Sequence, residues 1–359
     1  MSSSFGNNIK LSVFGESHGK AIGAVIEGLP SGFKLDMGLI EKDMKRRAPT
    51  KSDWSTHRGE TDEFEIVSGF FNGKLTGAPL CVTIKNKDAH SKDYSELKIK
   101  PRPGHADYTA NVKYKDNHDY RGGGHFSGRL TAPIVFAGAI AKQILKEDGI
   151  EIGAHIYSIK GELDSAFNLV NPVFKGISDK LFPVIDDDAG ERMKKIILDA
   201  KNDLNSVGGV IECAIKGLKA GTGGPLFGGL EGKISLAVFA VPAVKAVEFG
   251  AGTKVSVIMG SENNDEFLID KVVKTKTNNC GGILGGISNG MPIIFKASFK
   301  PTPSISRPQN TVNLETMENT TIEIKGRHDP CIVVRAVPVV EAMSALVILD
   351  EIILDRKRI

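Results

Sequence analysis

The segment 130–147, LTAPIVFAGAIAKQILKE, most constrains the fold, because the first part of the helix that its spacing predicts is apolar on every side. A surface helix keeps one polar face, so a helix without one belongs in the core. Pro133 falls in its first turn, where proline is tolerated. The sequence therefore predicts a fold that encloses this helix.

The rest of the chain mixes strands and helices without regular alternation. Alternating or continuous apolar runs predict strands at 9–14, 22–29, 63–71, 79–84, 150–158, 207–216, 233–241, 253–260 and 292–299. Helical spacing predicts further helices at 36–47, 187–204 and 338–355. The polar stretch 86–128 has little periodicity and is expected to be functional or mobile, and 160–185 is left unassigned. This order favours an α+β fold with antiparallel sheet over a doubly wound fold.

Composition limits the classes of function. The chain has 359 residues, enough for one large domain or two fused ones, and a net charge of only +3. We therefore expect no nucleic-acid or membrane partner, and any anion must be bound by a local cluster of basic side chains. The four cysteines are widely spaced without a CxxC pair, and no apolar run is long enough to span a bilayer. These features predict a reduced, cytoplasmic enzyme without a metal site.

The 40 glycines leave two interpretations open. They fit a site built from loops in which the backbone approaches a ligand closely, and they equally fit a β-rich protein with many tight turns. The usual nucleotide fingerprints, G-x-G-x-x-G and G-x-x-x-x-G-K-[ST], do not occur.

Two histidines lie next to glycines in predicted turns. His18 lies in GESHG directly after a predicted strand, and His105 lies in RPGHADY with a cation and an acid nearby. Such turns can present an imidazole for proton transfer near neutral pH. The alternatives are a solvent-exposed turn histidine and an ordinary loop with a local ion pair.

Three further loops carry polar groups. RGGGHFSGRLT, 121–131, precedes the buried helix and can form a nest of amides for an anion, or else a flexible turn with Ser127 or Thr131 as the helix cap. RHDPC, 327–331, is a dense polar cluster or a surface turn. KPTPS, 300–304, is a stiff loop that offers a cation and two hydroxyls. Arginines concentrated in such loops indicate recognition of carboxylate or phosphate.

Six segments in this order resemble the chorismate synthase family. They are GESHG, RPGHADY, the RGGG loop, NNCGGILGGISNGMPI, FKPTPSI and GRHDPCIVVRAVPVVEAM, and they extend from about residue 10 to 345. The resemblance implies a layered β-α-β sandwich with antiparallel sheets and a central helical layer, in a single large domain over 1–359. It also implies a homotetramer.

The resemblance further implies a lyase that converts 5-enolpyruvylshikimate 3-phosphate to chorismate and phosphate by 1,4-anti elimination. This is the last step of the shikimate pathway for aromatic amino acids. Reduced FMN is required although the reaction has no net redox change. NADP is a further ligand in some members.

By the same resemblance, His18 assists the departure of phosphate, His105 protonates or hydrogen-bonds the flavin, and Asp329 assists proton removal. Arg47, Arg102 and Arg129 are predicted to bind substrate anions, and Arg47 also matches an NADP position. The predicted flavin-binding positions are Ser127, Ala243, Gly285, Lys300, Pro301, Thr302, Pro303, Ser304 and Arg327, with their neighbours His125, Phe126 and Pro242.

Some positions depart from the family pattern. His125 replaces an arginine, so an anion contact there would depend on pH, and Leu130 replaces a glutamate. Asp53 replaces a second NADP-contacting arginine in some members, and Pro242 replaces an asparagine. Two other functions remain open: a flavin redox enzyme, and a non-catalytic anion-binding protein.

Overall fold

The computed structural model describes residues 3–50, 52–55, 61–87, 96–324 and 329–358. Two antiparallel five-stranded sheets form its outer layers. The first sheet has the order β1-β2-β3-β7-β4, with β1 (Ser4–Phe5), β2 (Lys10–Gly15), β3 (Ala21–Glu27), β4 (Phe64–Ser68) and β7 (Leu80–Lys85). The second has the order β11-β16-β10-β8-β9, with β8 (Glu151–Ile159), β9 (Glu162–Leu163), β10 (Gly209–Lys216), β11 (Val244–Phe249) and β16 (Ile293–Phe299).

Four smaller hairpins form separate two-stranded sheets. They are β5 (Phe70–Phe71) with β6 (Lys74–Leu75), β12 (Phe267–Asp270) with β13 (Val272–Thr275), β14 (Ile283–Leu284) with β15 (Ile287–Ser288), and β17 (Gln309–Asn313) with β18 (Glu318–Ile322). The helices are α1 (Met37–Arg47), α2 (Asp107–Tyr114), α3 (Thr131–Glu147), α4 (Asp187–Asn202), α5 (Leu230–Phe239), α6 (Gly260–Asn263) and α7 (Val333–Arg358).

Helices α3 and α7 form the middle layer. Helix α3 packs on β3 and β7 of the first sheet, α7 packs on β8 and β10 of the second, and the two helices pack against each other. A Cβ added to Gly138 of α3 would lie 2.2 Å from Cβ of Ala342 in α7, so only glycine permits this close approach. The prediction of an α+β sandwich with a central helical layer is thereby confirmed, and so is the burial of 130–147.

A buried ionic cluster joins α1, α3 and α7. The guanidinium of Arg46 donates two hydrogen bonds of 2.7 Å to the Glu341 carboxylate, and Lys142 donates one of 2.9 Å. Asp43 accepts from Arg46 at 3.0 Å. Burial alone would raise the pKa of Glu341, but Arg46 and Lys142 lower it to about 2. The cluster therefore keeps its charges within the helical layer.

Two predicted strands are wrong. Segment 233–241 belongs to α5, and 253–260 is mostly a 3-10 helix, Gly252–Val257. Short apolar runs do not distinguish strand from buried helix, and Leu230, Ile234 and Val238 bury one face at helical spacing. The polar stretch 86–128 contains α2, which its sequence did not indicate, and the final helix begins at Val333 with Pro338 inside it.

Across the described ranges, no helix combines the length and the apolar character that crossing a membrane requires.

Candidate active site

Six distant stretches of chain surround a cavity of about 440 Å³. It lies where α1 ends, beside the loops at 102–106, 122–131, 241–245 and 300–304 and the first turns of α7. Among the predicted site residues, those that line it are Arg47, Arg102, His105, Phe126, Ser127, Arg129, Pro242, Ala243, Lys300, Thr302, Pro303, Ser304 and Asp329. The cavity thus combines cations, an imidazole and a carboxylate.

The turn that presents His105 is held by a buried ion pair. Asp107, the first residue of α2, accepts hydrogen bonds of 2.8 Å from both Nε and Nη2 of Arg102. The same carboxylate lies 2.6 Å from Nδ1 of His105. Because a carboxylate can only accept, Nδ1 carries the proton in this contact and Nε2 of a neutral ring is an acceptor. Asp107 therefore fixes both the orientation and the tautomer of His105.

Burial shifts the pKa values in this turn. Desolvation lowers the pKa of His105, an effect that the hydrogen bond to Asp107 opposes only in part. Desolvation would raise the pKa of Asp107, but hydrogen bonds from Arg102 and His105 hold it well below its usual range. At neutral pH the turn therefore holds a neutral imidazole beside an ionised carboxylate.

Arg102 has internal partners for its guanidinium. Besides Asp107, its Nη1 donates to Ser304 Oγ at 3.1 Å, and its Nη2 donates to Nε2 of His105 at 3.3 Å. The side chain is buried. Although Arg102 lines the cavity, the structure uses its donors mainly to join the His105 turn to the 300–304 loop.

The glycine run at 122–124 lies between the two histidine turns. Gly122, Gly123 and Gly124 have φ values of +58°, +90° and +53°, which L side chains rarely adopt. A Cβ on Gly122 would lie 2.1 Å from Cε1 of His18, and one on Gly123 would lie 2.9 Å from Cε1 of His105. Both imidazoles therefore pack on adjacent peptides of one loop.

His18 is not itself in the cavity lining, but it packs on Gly122, which is. Its Nδ1 lies 3.0 Å from Ser17 Oγ, and the Ser17 amide donates to the Gly124 carbonyl at 3.1 Å. The His18 turn is also bound by Asn86, whose amide donates to the carbonyls of Glu16 and Gly19 at 2.9 Å. His18 thus lies next to the cavity, in contact with the Gly122 residue that lines it.

Two cations at the cavity were not assigned from sequence. Lys245 lies near Lys300, and partial burial together with the charge of Lys245 lowers the pKa of Lys300. Arg335 contacts Asp329 and donates from Nε to the Arg47 carbonyl at 3.0 Å. Lys245 was missed because its strand, β11, was not predicted. Arg335 lies within one of the family motifs but was assigned no role of its own.

Ala243 is a backbone exception at the cavity. Its φ is +76°, a left-handed conformation that is strained for a residue with a Cβ, and its carbonyl accepts from the Lys300 amide at 2.9 Å. Strain of this kind is concentrated at functional sites.

Three further predicted site residues of the described chain do not line the cavity. His125 turns its ring outward, between the Gly15 carbonyl at 2.8 Å and Ser3 Oγ at 2.9 Å. Gly285 lies in the β14–β15 turn, away from the cavity lining, and Pro301 also does not line it. Arg327 lies outside the described residues. Within the described ranges there is no group of three or more His, Cys, Asp or Glu side chains placed to hold a metal ion.

Comparison with known proteins agrees with this architecture. The family model for chorismate synthase matches residues 9–353. The chorismate synthase of Methanocaldococcus jannaschii is 47% identical over 360 residues, covering 96% of this chain and 95% of that protein. That of Lancefieldella parvula is 45% identical, covering 98% and 96%.

A crystal structure of chorismate synthase is similar with a TM-score of 0.76 and 28% sequence identity, covering 98% of this chain and 93% of that chain. These matches in sequence and in fold cover nearly the whole chain. The chain belongs to the chorismate synthase family.

Proposed function

We propose that this protein converts 5-enolpyruvylshikimate 3-phosphate to chorismate and phosphate by 1,4-anti elimination, with reduced FMN as cofactor. The observation that carries the proposal is the cavity itself, which joins basic side chains to His105 and Asp329. A substrate with two carboxylates and a phosphate needs several cations for binding. Loss of phosphate and a proton also needs groups that can assist proton transfer.

Five basic residues line the cavity in which the anionic groups of the substrate would bind. Besides the internally bonded Arg102, the lining contains Arg47, Arg129, Arg335, Lys245 and Lys300. Guanidinium groups bind carboxylate and phosphate with two parallel hydrogen bonds, and lysines bind phosphate as compact charges. Such a set would also stabilise the negative charge that grows on the departing phosphate.

The residues around the 300–304 loop fit a flavin. Thr302 Oγ1 is a buried cavity atom with no hydrogen-bond partner within the described chain, so it is available to a ligand. Ile332 and, from α7, Ala336 and Val339 supply an apolar wall for a planar ring system. When bound, reduced FMN supplies electron density to the reacting ring and a base for the lost proton. Ser127, Ala243, Lys300, Pro303 and Ser304 would hold it.

The chain's own groups then take the following roles. His18, which packs on Gly122 of the cavity lining, assists the departure of phosphate, with Ser17 as its hydrogen-bonded neighbour. His105 hydrogen-bonds the cofactor from a position fixed by Asp107. Asp329, held by Arg335, assists removal of the substrate proton. Exclusion of water by the surrounding loops would strengthen each of these interactions.

The test is anaerobic release of phosphate from 5-enolpyruvylshikimate 3-phosphate with photoreduced FMN and no NADPH. We expect many turnovers for each reduced flavin, because the elimination has no net redox change. Consumption of NADPH in stoichiometric amounts would instead indicate a flavin redox enzyme. Binding of the substrate without any phosphate release would indicate an anion-binding protein. This assay contains no NADPH and so does not test the predicted NADP role of Arg47. A parallel assay with NADPH as the only reductant tests that role.

We further propose that the chain works as a homotetramer. Large apolar side chains are almost fully exposed in two stretches of the chain: Phe227 is 102% and Leu226 88% exposed in one, and Ile269 is 86% exposed in the other. The β12–β13 hairpin pairs with no other strand of the described chain, and an isolated hairpin is only marginally stable in water. Contact with other copies would cover these groups.

A further inference from the structure

Two of the cavity arginines share one buried carboxylate. Asp62 contacts Arg129 through Oδ1, and its Oδ2 lies 3.2 Å from Nη1 of Arg47, an ion-pair distance. The Asp62 side chain is wholly buried, and Asp62 is absent from the cavity lining. The carboxylate therefore contacts both guanidinium groups without itself lining the cavity.

The contact of Asp62 with both arginines does not follow from local chain geometry. Arg47 ends α1, whereas Arg129 lies in the 3-10 helix Gly128–Leu130 before α3, so no common element sets the distance between them. Asp62 adopts a left-handed backbone conformation with φ of +53°, which non-glycine residues rarely adopt. Such strain is maintained only where the surrounding contacts determine it, and here the contacts are the two arginines.

Arg129 is also fixed from the end of β7. Its Nε donates to Asn86 Oδ1 at 3.1 Å, and its Nη2 donates to the Lys85 carbonyl at 3.3 Å. All three of its guanidinium nitrogens thus have a protein partner. The guanidinium of Arg129 is therefore held in one orientation, which a flexible surface arginine would lack.

Electrostatics requires an anion between the two cations. Two guanidinium groups brought together in a buried place repel each other, and neither can lose its charge. The Asp62 carboxylate offsets part of this repulsion. Both guanidinium groups also line the cavity, where an anionic ligand would offset more of it.

We propose that Asp62 is a positioning residue that holds Arg47 and Arg129 side by side, so that they bind an anionic group of the substrate as a pair. The proposal rests on the proposed function, since it takes 5-enolpyruvylshikimate 3-phosphate as the ligand. Asp62 acts through the two arginines and does not touch the substrate.

The experiment compares D62N with the wild-type protein by steady-state kinetics, by calorimetric binding of 5-enolpyruvylshikimate 3-phosphate and by thermal unfolding. Loss of a hydrogen-bonded charge that orients two ligand groups should raise KM and the substrate Kd by about 10- to 100-fold. The fall in kcat should be smaller than the rise in KM, because the groups that transfer protons remain in place.

D350N is the matched control. Asp350 is also a buried carboxylate, but it accepts from the amides of Asn8 and Ile9 at 2.6 and 2.8 Å and does not line the cavity. We expect D350N to lower the Tm with KM unchanged. A rise in KM of similar size in both variants would show that any buried carboxylate has this effect and would overturn the proposal.

A double-mutant cycle with R129K separates positioning from general stability. If Asp62 acts through Arg129, D62N should raise KM much less in the R129K background than in the wild type. Fully additive effects on KM, or a D62N variant with wild-type KM, would overturn the proposal. If D62N does not fold, D62E replaces it: this variant keeps the charge, but a longer side chain cannot keep both contacts in a filled site, so KM should still rise, and an unchanged KM overturns the inference.

These outcomes are distinguishable from failure of the proposed function. If the wild-type protein releases no phosphate, the elimination itself is wrong. If the wild type is active and KM responds to Asp62 only as it does to Asp350, the elimination stands and the positioning role is wrong.

Discussion

At the scale of single residues, the site depends on side chains that orient other side chains. Asp107 fixes the ring of His105, Arg335 contacts Asp329, and Asn86 connects the His18 turn to Arg129. Each supporting residue has its polar atoms used by protein groups. The chemistry of the cavity is thus set by a second layer of charges as much as by the groups that face the ligand.

His105→Ala should lose most of the turnover and keep its fold. The ring packs on Gly123 without being part of the hydrophobic core, so we expect the Tm to change little. General acid–base or hydrogen-bonding groups contribute about 100- to 10,000-fold to rate, and a loss within that range is expected in the phosphate-release assay. Turnover equal to wild type would remove His105 from the mechanism.

Asp107→Asn is the companion variant, because it keeps the imidazole and removes the charge beside it. The Asp107 carboxylate favours the protonated ring, so its removal should lower the pKa of His105 further. The ring-proton NMR titration of His105 should therefore move to lower pH, with a smaller loss of turnover than in His105→Ala. An unchanged titration would mean that the contact between Asp107 and His105 does not exist in solution.

At the scale of elements, the crossing of α3 and α7 decides how the two sheets are joined. The helices approach at Gly138 and Ala342, and the buried cluster of Arg46, Lys142 and Glu341 lies beside the same helices. Because α7 begins at the cavity, its first residues are positioned by this crossing. A substitution in the helical layer should therefore shift the residues at the start of α7 that line the cavity.

Gly138→Ala should lower the stability, although alanine favours a helix more than glycine does. The new methyl would lie 2.2 Å from Cβ of Ala342, and overpacking of this kind costs about 1–3 kcal/mol of unfolding free energy. Gly232→Ala in α5 is the matched control, since an added Cβ there meets nothing within 4 Å. It should be neutral or stabilising by up to about 1 kcal/mol.

Adding Ala342→Gly to Gly138→Ala should recover part of the lost stability, because it removes the opposing methyl. Denaturant unfolding of the four proteins measures these differences. Equal stability of Gly138→Ala and Gly232→Ala would contradict the close crossing of the helices.

At the scale of the whole molecule, the exposed apolar side chains predict self-association. Ile269 lies opposite Val273 on the β12–β13 hairpin, and both side chains are mostly exposed. Ile269→Lys introduces a charge whose burial in an interface would cost free energy. We therefore expect it to convert the proposed tetramer to smaller species, as measured by light scattering across a concentration series.

Met317→Lys is the control for that variant, because Met317 is 81% exposed on a different hairpin turn, between β17 and β18. It should leave the molar mass unchanged. A wild-type chain that remains monomeric at micromolar concentration, or an Ile269→Lys variant with the wild-type mass, would contradict an interface at the β12–β13 hairpin.

The sequence by itself determined the α+β class, the buried helix at 130–147 and the loops that carry chemistry. Buried elements leave a periodic pattern, as in β7, where Leu80, Val82 and Ile84 alternate inward. The pattern failed at 233–241, where an apolar run was short enough to suit either strand or helix. Motifs in order were sufficient to indicate the family.

Only the tertiary structure decided which of these residues meet. Gly122 and Gly123 bring His18 and His105 onto one loop, Asp62 brings Arg47 and Arg129 together, and His125 turns away from the cavity that its neighbours line. Contacts between residues so far apart in the chain depend on how sheets and helices pack. Local periodicity carries no record of that packing, because it reports only which face of each element is buried.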